Sequence, residues 1–153
     1  MGASPGDASL LQIRNLTHVY EGGVQALTDV NLDVKPGEFL VVIGLSGSGK
    51  STLMRCINRL VEPTSGQVIL DGIDVTAASH EELRVIRRRM AMVFQHFNLV
   101  KRSTVLTNVL TGRLGYMNTG ASLLHRFSRE DLDRAMANLN RVGIAEKAHF
   151  RAD

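Results

Sequence analysis

Residues 44–52 read GLSGSGKST, which is the pattern G-x-x-x-x-G-K-[ST] with Gly44, Gly49, Lys50 and Ser51 at its fixed positions. No other feature constrains the fold as much, because this turn works only between the end of a buried strand and the start of a helix. Both flanks fit. Residues 39–43 (FLVVI) are wholly apolar, which predicts a strand buried on both faces. Residues 52–60 (TLMRCINRL) read as a helix.

The chemistry of the turn follows from its composition. Gly44, Gly47 and Gly49 lack Cβ, so the chain can take conformations closed to other residues and come close to a ligand. Successive backbone N–H groups then point inward as an anion nest. The helix adds its unpaired N–H groups and the positive end of its dipole. Lys50 supplies a point charge for outer phosphates. Ser51 supplies a hydroxyl oxygen, suited to Mg²⁺, a hard cation.

The remaining composition narrows the class. The chain has 153 residues, 44% hydrophobic and 22% charged, enough for one domain with a core and incompatible with disorder throughout. No apolar run approaches the length of a bilayer-spanning helix. The small, polar start MGASPGDAS predicts no secretory signal, and Gly6 breaks the myristoylation pattern. Cys56 is the single cysteine, which excludes an internal disulfide and reads as a small core residue. The net charge of +3 is mild. Arg84, Arg87, Arg88 and Arg89 read as a solvated helix face, and no aromatic–basic stripe occurs, so no nucleic-acid partner is expected.

Along the chain, residues 1–9 read as a frayed tail. Strands are expected at 10–20, 24–34, 67–70 and 73–75, with Asp71-Gly72 as a hairpin turn. Ser79 and Glu82 have the spacing of a capping box, predicting a helix to about Arg88. Residues 90–94 (MAMVF) read as another buried strand ending at Gln95. Helices are expected at 104–113 and 129–142. The second has Ser128 as N-cap, Gly143 as stop, and Leu132, Ala135, Leu139 and Val142 as its apolar stripe. His18, His80, His96, His125 and His149 show no paired metal-ligand spacing and read as surface or satisfied histidines.

With VYEGGVQAL, VKPGEFLVVIGLSGSGKSTLMRCINRL, EPTSGQVILDG and MVFQHFNLV on the page, the chain resembles the ATP-binding subunits of ABC transporters over nearly its full length. It most resembles the phosphonate-import ATPases, through NLVKRSTVLTNVLTGRLGY, SLLHRFSRED and KAHFRAD. Polar-amino-acid and methionine importers share the first set and usually lack the extended GRLGY segment. The resemblance implies an α/β P-loop fold present in part: an antiparallel β subdomain, part of a parallel core, and a helical subdomain. The implied boundaries are 1–9 for the tail, 10–95 for the partial nucleotide-binding core and 96–153 for the helical subdomain.

Residue by residue, the resemblance implies ATP and Mg²⁺ as ligands. Tyr20 matches the aromatic that stacks on adenine; the other reading is a strand-end core tyrosine. Gly44, Leu45, Ser46, Gly47, Ser48, Gly49, Lys50, Ser51 and Thr52 match the Walker A loop. Gln95 matches the Q-loop glutamine, which touches Mg²⁺ and the attacking water, so Ser51 and Gln95 are the implied metal contacts and Lys50 and Gln95 the implied catalytic residues. Implied partners are transmembrane permease subunits, docked on the helical subdomain around residues 97–113, a second ATPase subunit, and a periplasmic or lipoprotein substrate-binding protein. The implied location is the cytoplasmic face of the inner membrane.

In the family pattern the signature LSGGQ, the Walker B aspartate, the catalytic glutamate and the switch histidine follow a segment like RAD, with which this chain ends at Asp153. The 153-residue stretch alone is therefore expected to hydrolyse ATP little or not at all. Two other classes stay open: a non-hydrolysing ATP-binding remnant, and a different P-loop enzyme such as a small-molecule kinase.

Overall fold

The computed structural model describes residues 9–95, 98–117 and 127–153. The expected tail, apart from Ser9, lies outside them, as do His96, Phe97, His125 and the rest of residues 118–126. Packing divides the chain into two compact units, one ending at Met90 and one beginning at Ala91.

In the first unit, β1 (Leu11–Val19), β2 (Gln25–Val34), β3 (Ser65–Leu70) and β4 (Ile73–Asp74) form one sheet in the order β2-β1-β3-β4. Every pairing is antiparallel, and Ile13 faces Leu32 on one side and Val68 on the other. Asp71 and Gly72 turn the β3–β4 hairpin with φ of +49° and +77°, the two left-handed positions that a type I′ turn requires. Two helices, α1 (Lys50–Ile57) and α2 (His80–Arg87), complete the unit. The capping box of α2 forms: Ser79 Oγ accepts from Glu82 N, and Glu82 Oε2 accepts from Ser79 N at 2.8 Å. Leu53 and Cys56 of α1 and Leu83 and Ile86 of α2 pack with Ile13, Leu16, Val68 and Val75 into one core. Each such aliphatic side chain contributes about 1.5–3 kcal/mol by leaving water.

The alternation of β1 breaks in its middle. Ile13 and Leu16, three apart, are both fully buried. The ladder shifts between them, and Asn15 stands there with φ of +48°. This β-bulge is held by Asn15 N donating to Asn31 Oδ1 at 2.9 Å and Asn15 Nδ2 donating to Asp29 Oδ1 at 2.7 Å. Across the sheet, Gly66 (φ +92°) comes so close to the bulge that a Cβ there would sit 2.4 Å from Asn15 O. The bulge switches the inward parity from odd to even positions, so His18 is buried and Tyr20 follows on the same side.

Two expected strands do not form. Residues 39–43 and 90–94 carry no regular secondary structure, and Phe39, Ile43 and Val93 are each about nine-tenths exposed. The expected part of a parallel core therefore has no ladder among the described residues. A strand that is apolar on both faces exists only as one member of a paired, covered sheet. The four strands present pair among themselves, and nothing described pairs with these two runs.

In the second unit, α3 (Val105–Thr111) and α4 (Arg129–Arg141) pack through Leu110, Ala135 and Leu139. Thr104 Oγ1 and Ser128 Oγ cap them, accepting from Thr107 N and Asp131 N, each at 3.1 Å. Phe150 O and Ala148 O accept from Val105 N and Leu106 N, tying the C-terminal segment to the start of α3. The buried stripe of α4 is Asp131, Ala135 and Leu139; Leu132 and Val142, expected inside, are 37% and 68% exposed. An aspartate can occupy that face because Arg113 Nε meets its Oδ1 at 2.6 Å and Ser128 Oγ donates to its Oδ2 at 2.8 Å. The Arg113 hydrogen bond, then that of Ser128, hold its carboxyl below the usual carboxylate range. Among the described residues no helix is long and apolar enough to cross a membrane.

Candidate phosphate and nucleoside site

The GLSGSGKST turn lies directly before α1, whose first residue is Lys50. Gly49 is the N-cap with φ of +87°, and no side chain among the described residues caps the helix, so its first-turn N–H groups are left as donors. Gly49 also has a packing role. A Cβ there would lie 2.3 Å from Ala26 O and 3.2 Å from Leu27 Cδ2, so the start of α1 is seated against β2 only because position 49 has no side chain. Gly47 is left-handed too, with φ of +82°, but has open space around it. Ser48 N donates to Leu45 O at 3.2 Å, closing the turn between them.

Lys50 Nζ donates to Gly44 O at 2.8 Å, Leu45 O at 2.7 Å and Ser48 Oγ at 3.2 Å. The ammonium thus lies over the loop, held by neutral acceptors. A phosphate oxygen carries full negative charge and makes a charge-assisted bond about twice as strong as a neutral one, so Lys50 can exchange these partners for such a ligand. Leu45 is 85% exposed, and Gly44, Ser46, Gly47, Ser48 and Ser51 are exposed too. The loop is therefore open to solvent over its outer face, while Thr52 is buried.

Tyr20 reaches this element from β1. Its hydroxyl and Thr52 Oγ1 are 3.0 Å apart. The ring is 38% exposed and stands edge to face with the His18 ring, centroids 4.5 Å apart and planes at 89°. The β1 bulge makes this possible, since on unbroken parity from Ile13 both rings would point away. His18 is the residue that sequence reasoning missed. Its Nδ1 donates to Glu62 O at 3.0 Å, and its buried Nε2 has no partner among the described residues. The available signal was the spacing of Leu16, His18 and Tyr20 at every second position.

The structure thus brings Tyr20, Thr52, Lys50 and the loop together. Gln95 is an exposed bend residue in the second unit. Among the described residues no group of three or more His, Cys, Asp or Glu side chains gathers as a metal cluster. The loop also carries the hydroxyls of Ser46, Ser48 and Ser51, oxygens of the type a hard cation takes.

With this geometry in hand, comparison with known proteins is direct. The ABC transporter family model matches residues 27–153. The chain is 56% identical over 145 residues to the phosphonates import ATP-binding protein PhnC of Bdellovibrio bacteriovorus, covering 94% of the chain and 56% of that protein. It is 51% identical to the protein of that name from Shouchella clausii, covering 94% of the chain and 54% of the relative. The chain therefore spans about half the length of the curated relatives it matches. Among solved structures it resembles a dimeric ATP-binding cassette in a post-hydrolysis state bound to ADP and Pi, with a TM-score of 0.77, 35% identity, and coverage of 93% of the chain and 61% of the cassette. A nucleotide-free cassette from an ABC transporter gives a TM-score of 0.76 at 27% identity, covering 95% and 58%. The antiparallel sheet, the loop and the helices are thus part of an ABC nucleotide-binding domain. On sequence and on structure, the chain belongs to the ABC transporter family.

Proposed function

We propose that this chain is the phosphate- and base-holding part of an ATPase subunit that drives phosphonate uptake through an ABC importer. The observation that carries the reading is the seated loop: an uncapped α1 N-terminus, Lys50 over the turn, and Tyr20 tied to Thr52 beside it. The loop N–H groups and Lys50 bind the phosphates, and Tyr20 stacks on the adenine. Ser51 and Gln95 hold Mg²⁺, which when bound neutralises phosphate charge. Lys50 stabilises charge on the transferred phosphoryl group and Gln95 orients the attacking water. The 153-residue stretch by itself binds Mg-ATP weakly and turns it over slowly or not at all, because phosphoryl transfer also needs carboxylates that the loop does not contain.

Its partners are two permease subunits docked on the second unit, a second ATPase subunit, and a substrate-binding protein on the far side of the membrane. The subunit sits at the cytoplasmic face of the inner membrane. Phosphonate as cargo rests on the relatives' names and on the GRLGY-containing segment. The test is growth of the host on a phosphonate as sole phosphorus source after deletion of the gene that encodes this chain. Growth is expected to be lost, restored by the native gene and not by its Lys50→Ala form. Unimpaired growth on phosphonate, with a defect in methionine or polar amino acid uptake instead, refutes the cargo assignment.

A further inference from the structure

The proposed base platform, Tyr20, is held from three sides. Its backbone closes a turn, with Tyr20 N donating to Val24 O at 2.9 Å and Gly23 N donating to Tyr20 O at 3.0 Å. Its hydroxyl meets Thr52 in the first turn of α1. Its ring meets the buried His18 ring edge to face. His18 is in turn pinned by its Nδ1–H to Glu62 O, in the segment that follows α1. That segment is itself fixed: Thr64 Oγ1 accepts from Val19 N at 3.0 Å, and Thr64 N donates to Thr17 O at 2.9 Å. A histidine is a costly choice for a simple core filler. A neutral ring donating from Nδ1 has a bare Nε2, and here that atom is buried without a partner among the described residues, which is unfavourable. Phenylalanine would avoid this cost and would lose the tether to Glu62.

We infer that His18 is a positioning residue for nucleotide binding: tethered to Glu62 O, it buttresses the Tyr20 ring so that the base platform is already ordered before ligand arrives. This rests on the reading of Tyr20 as the base-stacking residue. Ordering one side chain on binding costs about 0.5–1.5 kcal/mol. Removing the buttress transfers that cost to the ligand and weakens base-dependent affinity by about 3- to 10-fold. Phosphate binding by the loop does not pass through Tyr20 and is unaffected.

The experiment is calorimetric titration of the full chain, in Mg²⁺, with ATP and separately with inorganic tripolyphosphate, which has no base. The proteins are the native chain, Tyr20→Ala, His18→Ala, His18→Phe and the double variant Tyr20→Ala/His18→Ala. Tripolyphosphate affinity doubles as the fold control. The expected result is that His18→Ala weakens ATP about 3- to 10-fold with tripolyphosphate unchanged, and that His18→Phe, which keeps a ring against Tyr20 but loses the tether to Glu62, falls between native and His18→Ala. On the Tyr20→Ala background the His18 change then has no further effect. The inference is overturned if His18→Ala binds ATP as the native chain does, if it weakens both ligands alike, if its effect adds in full to that of Tyr20→Ala, or if His18→Phe either matches the native chain or falls as far as His18→Ala. If Tyr20→Ala leaves the preference for ATP over tripolyphosphate intact, the base-stacking reading fails first and separately, and the His18 role falls with it.

Discussion

Gly49→Ala separates two costs that a single glycine can conceal. The first is conformational. At φ of +87° an L side chain is strained by about 1–2 kcal/mol. The second is contact. The new Cβ would lie 2.3 Å from Ala26 O, inside the 3.0 Å that real Cβ atoms respect, so α1 or β2 has to move by ~0.7 Å. The atom in the way is strand backbone, flanked by Gln25 and Leu27, which both pair with β1, so β2 yields poorly. Displacing α1 instead loosens Leu53 and Cys56, both buried in the core. Part of the about 2–5 kcal/mol that truncating one large core side chain costs is then lost as well. The total is about 3–5 kcal/mol, a large share of the 5–15 kcal/mol typical of a domain. Gly47→Ala is the internal control. It lies in the same loop at φ of +82° with nothing within 4 Å, so it has only the strain of about 1–2 kcal/mol. The assay is urea unfolding followed by far-ultraviolet circular dichroism at low protein concentration, with tripolyphosphate titration of the folded chain. Gly49→Ala is expected to lower stability by at least about 2 kcal/mol more than Gly47→Ala and to lose tripolyphosphate binding as the α1 N–H groups shift. Equal stabilities of the two variants would refute the claim that α1 is seated through position 49.

Three further outcomes are expected. Gly66→Ala places a Cβ 2.4 Å from Asn15 O, so it forces β3 off the β1 bulge, lowers stability by about 3 kcal/mol or more, and, by releasing His18 and Tyr20, reduces ATP binding more than tripolyphosphate binding in paired titrations. The carboxyls of Asp131 and Glu82 are held low, the first by Arg113 and then Ser128, the second by the backbone and side chain of Ser79. Groups with depressed native values stabilise fully above the ordinary carboxylate range near pH 4 and lose that contribution as pH falls through the native value, so acid unfolding begins below about pH 4, and Asp131→Asn flattens that dependence in a pH series of urea melts. Burial first, and the nearby Glu62 carboxylate second, push the Cys56 thiol up to about 11. A thiol reagent at pH 7.5 is therefore expected to leave Cys56 untouched in the folded chain and to modify it at once in urea.

The elements that were legible from the sequence close over a few residues. The Ser79–Glu82 box, the Ser128 cap and the Gly-rich loop before α1 find hydrogen-bond partners within four or so positions, and the Asp71-Gly72 turn joins the paired neighbours Leu70 and Ile73. The residues that were misread depend on partners far away in the chain. Residues 39–43 have strand composition, but a strand needs a neighbour, and none is present among the described residues. Leu132 has the helical spacing for the core and lies partly outside it, because Arg113 neutralises Asp131 and lets the aspartate take the inner face.

By itself, the sequence determined the Gly-rich loop, the helix it opens and the family, since those are written in contiguous residue types whose local geometry admits few solutions. Only the tertiary structure decided where Tyr20 points. That depends on a one-residue bulge at Asn15, held by side chains of β2 and accommodated by Gly66 of β3. A strand has a side-chain period of two, so one inserted residue turns every later side chain to the opposite face, and the contacts that stabilise the insertion come from strands that are remote in sequence.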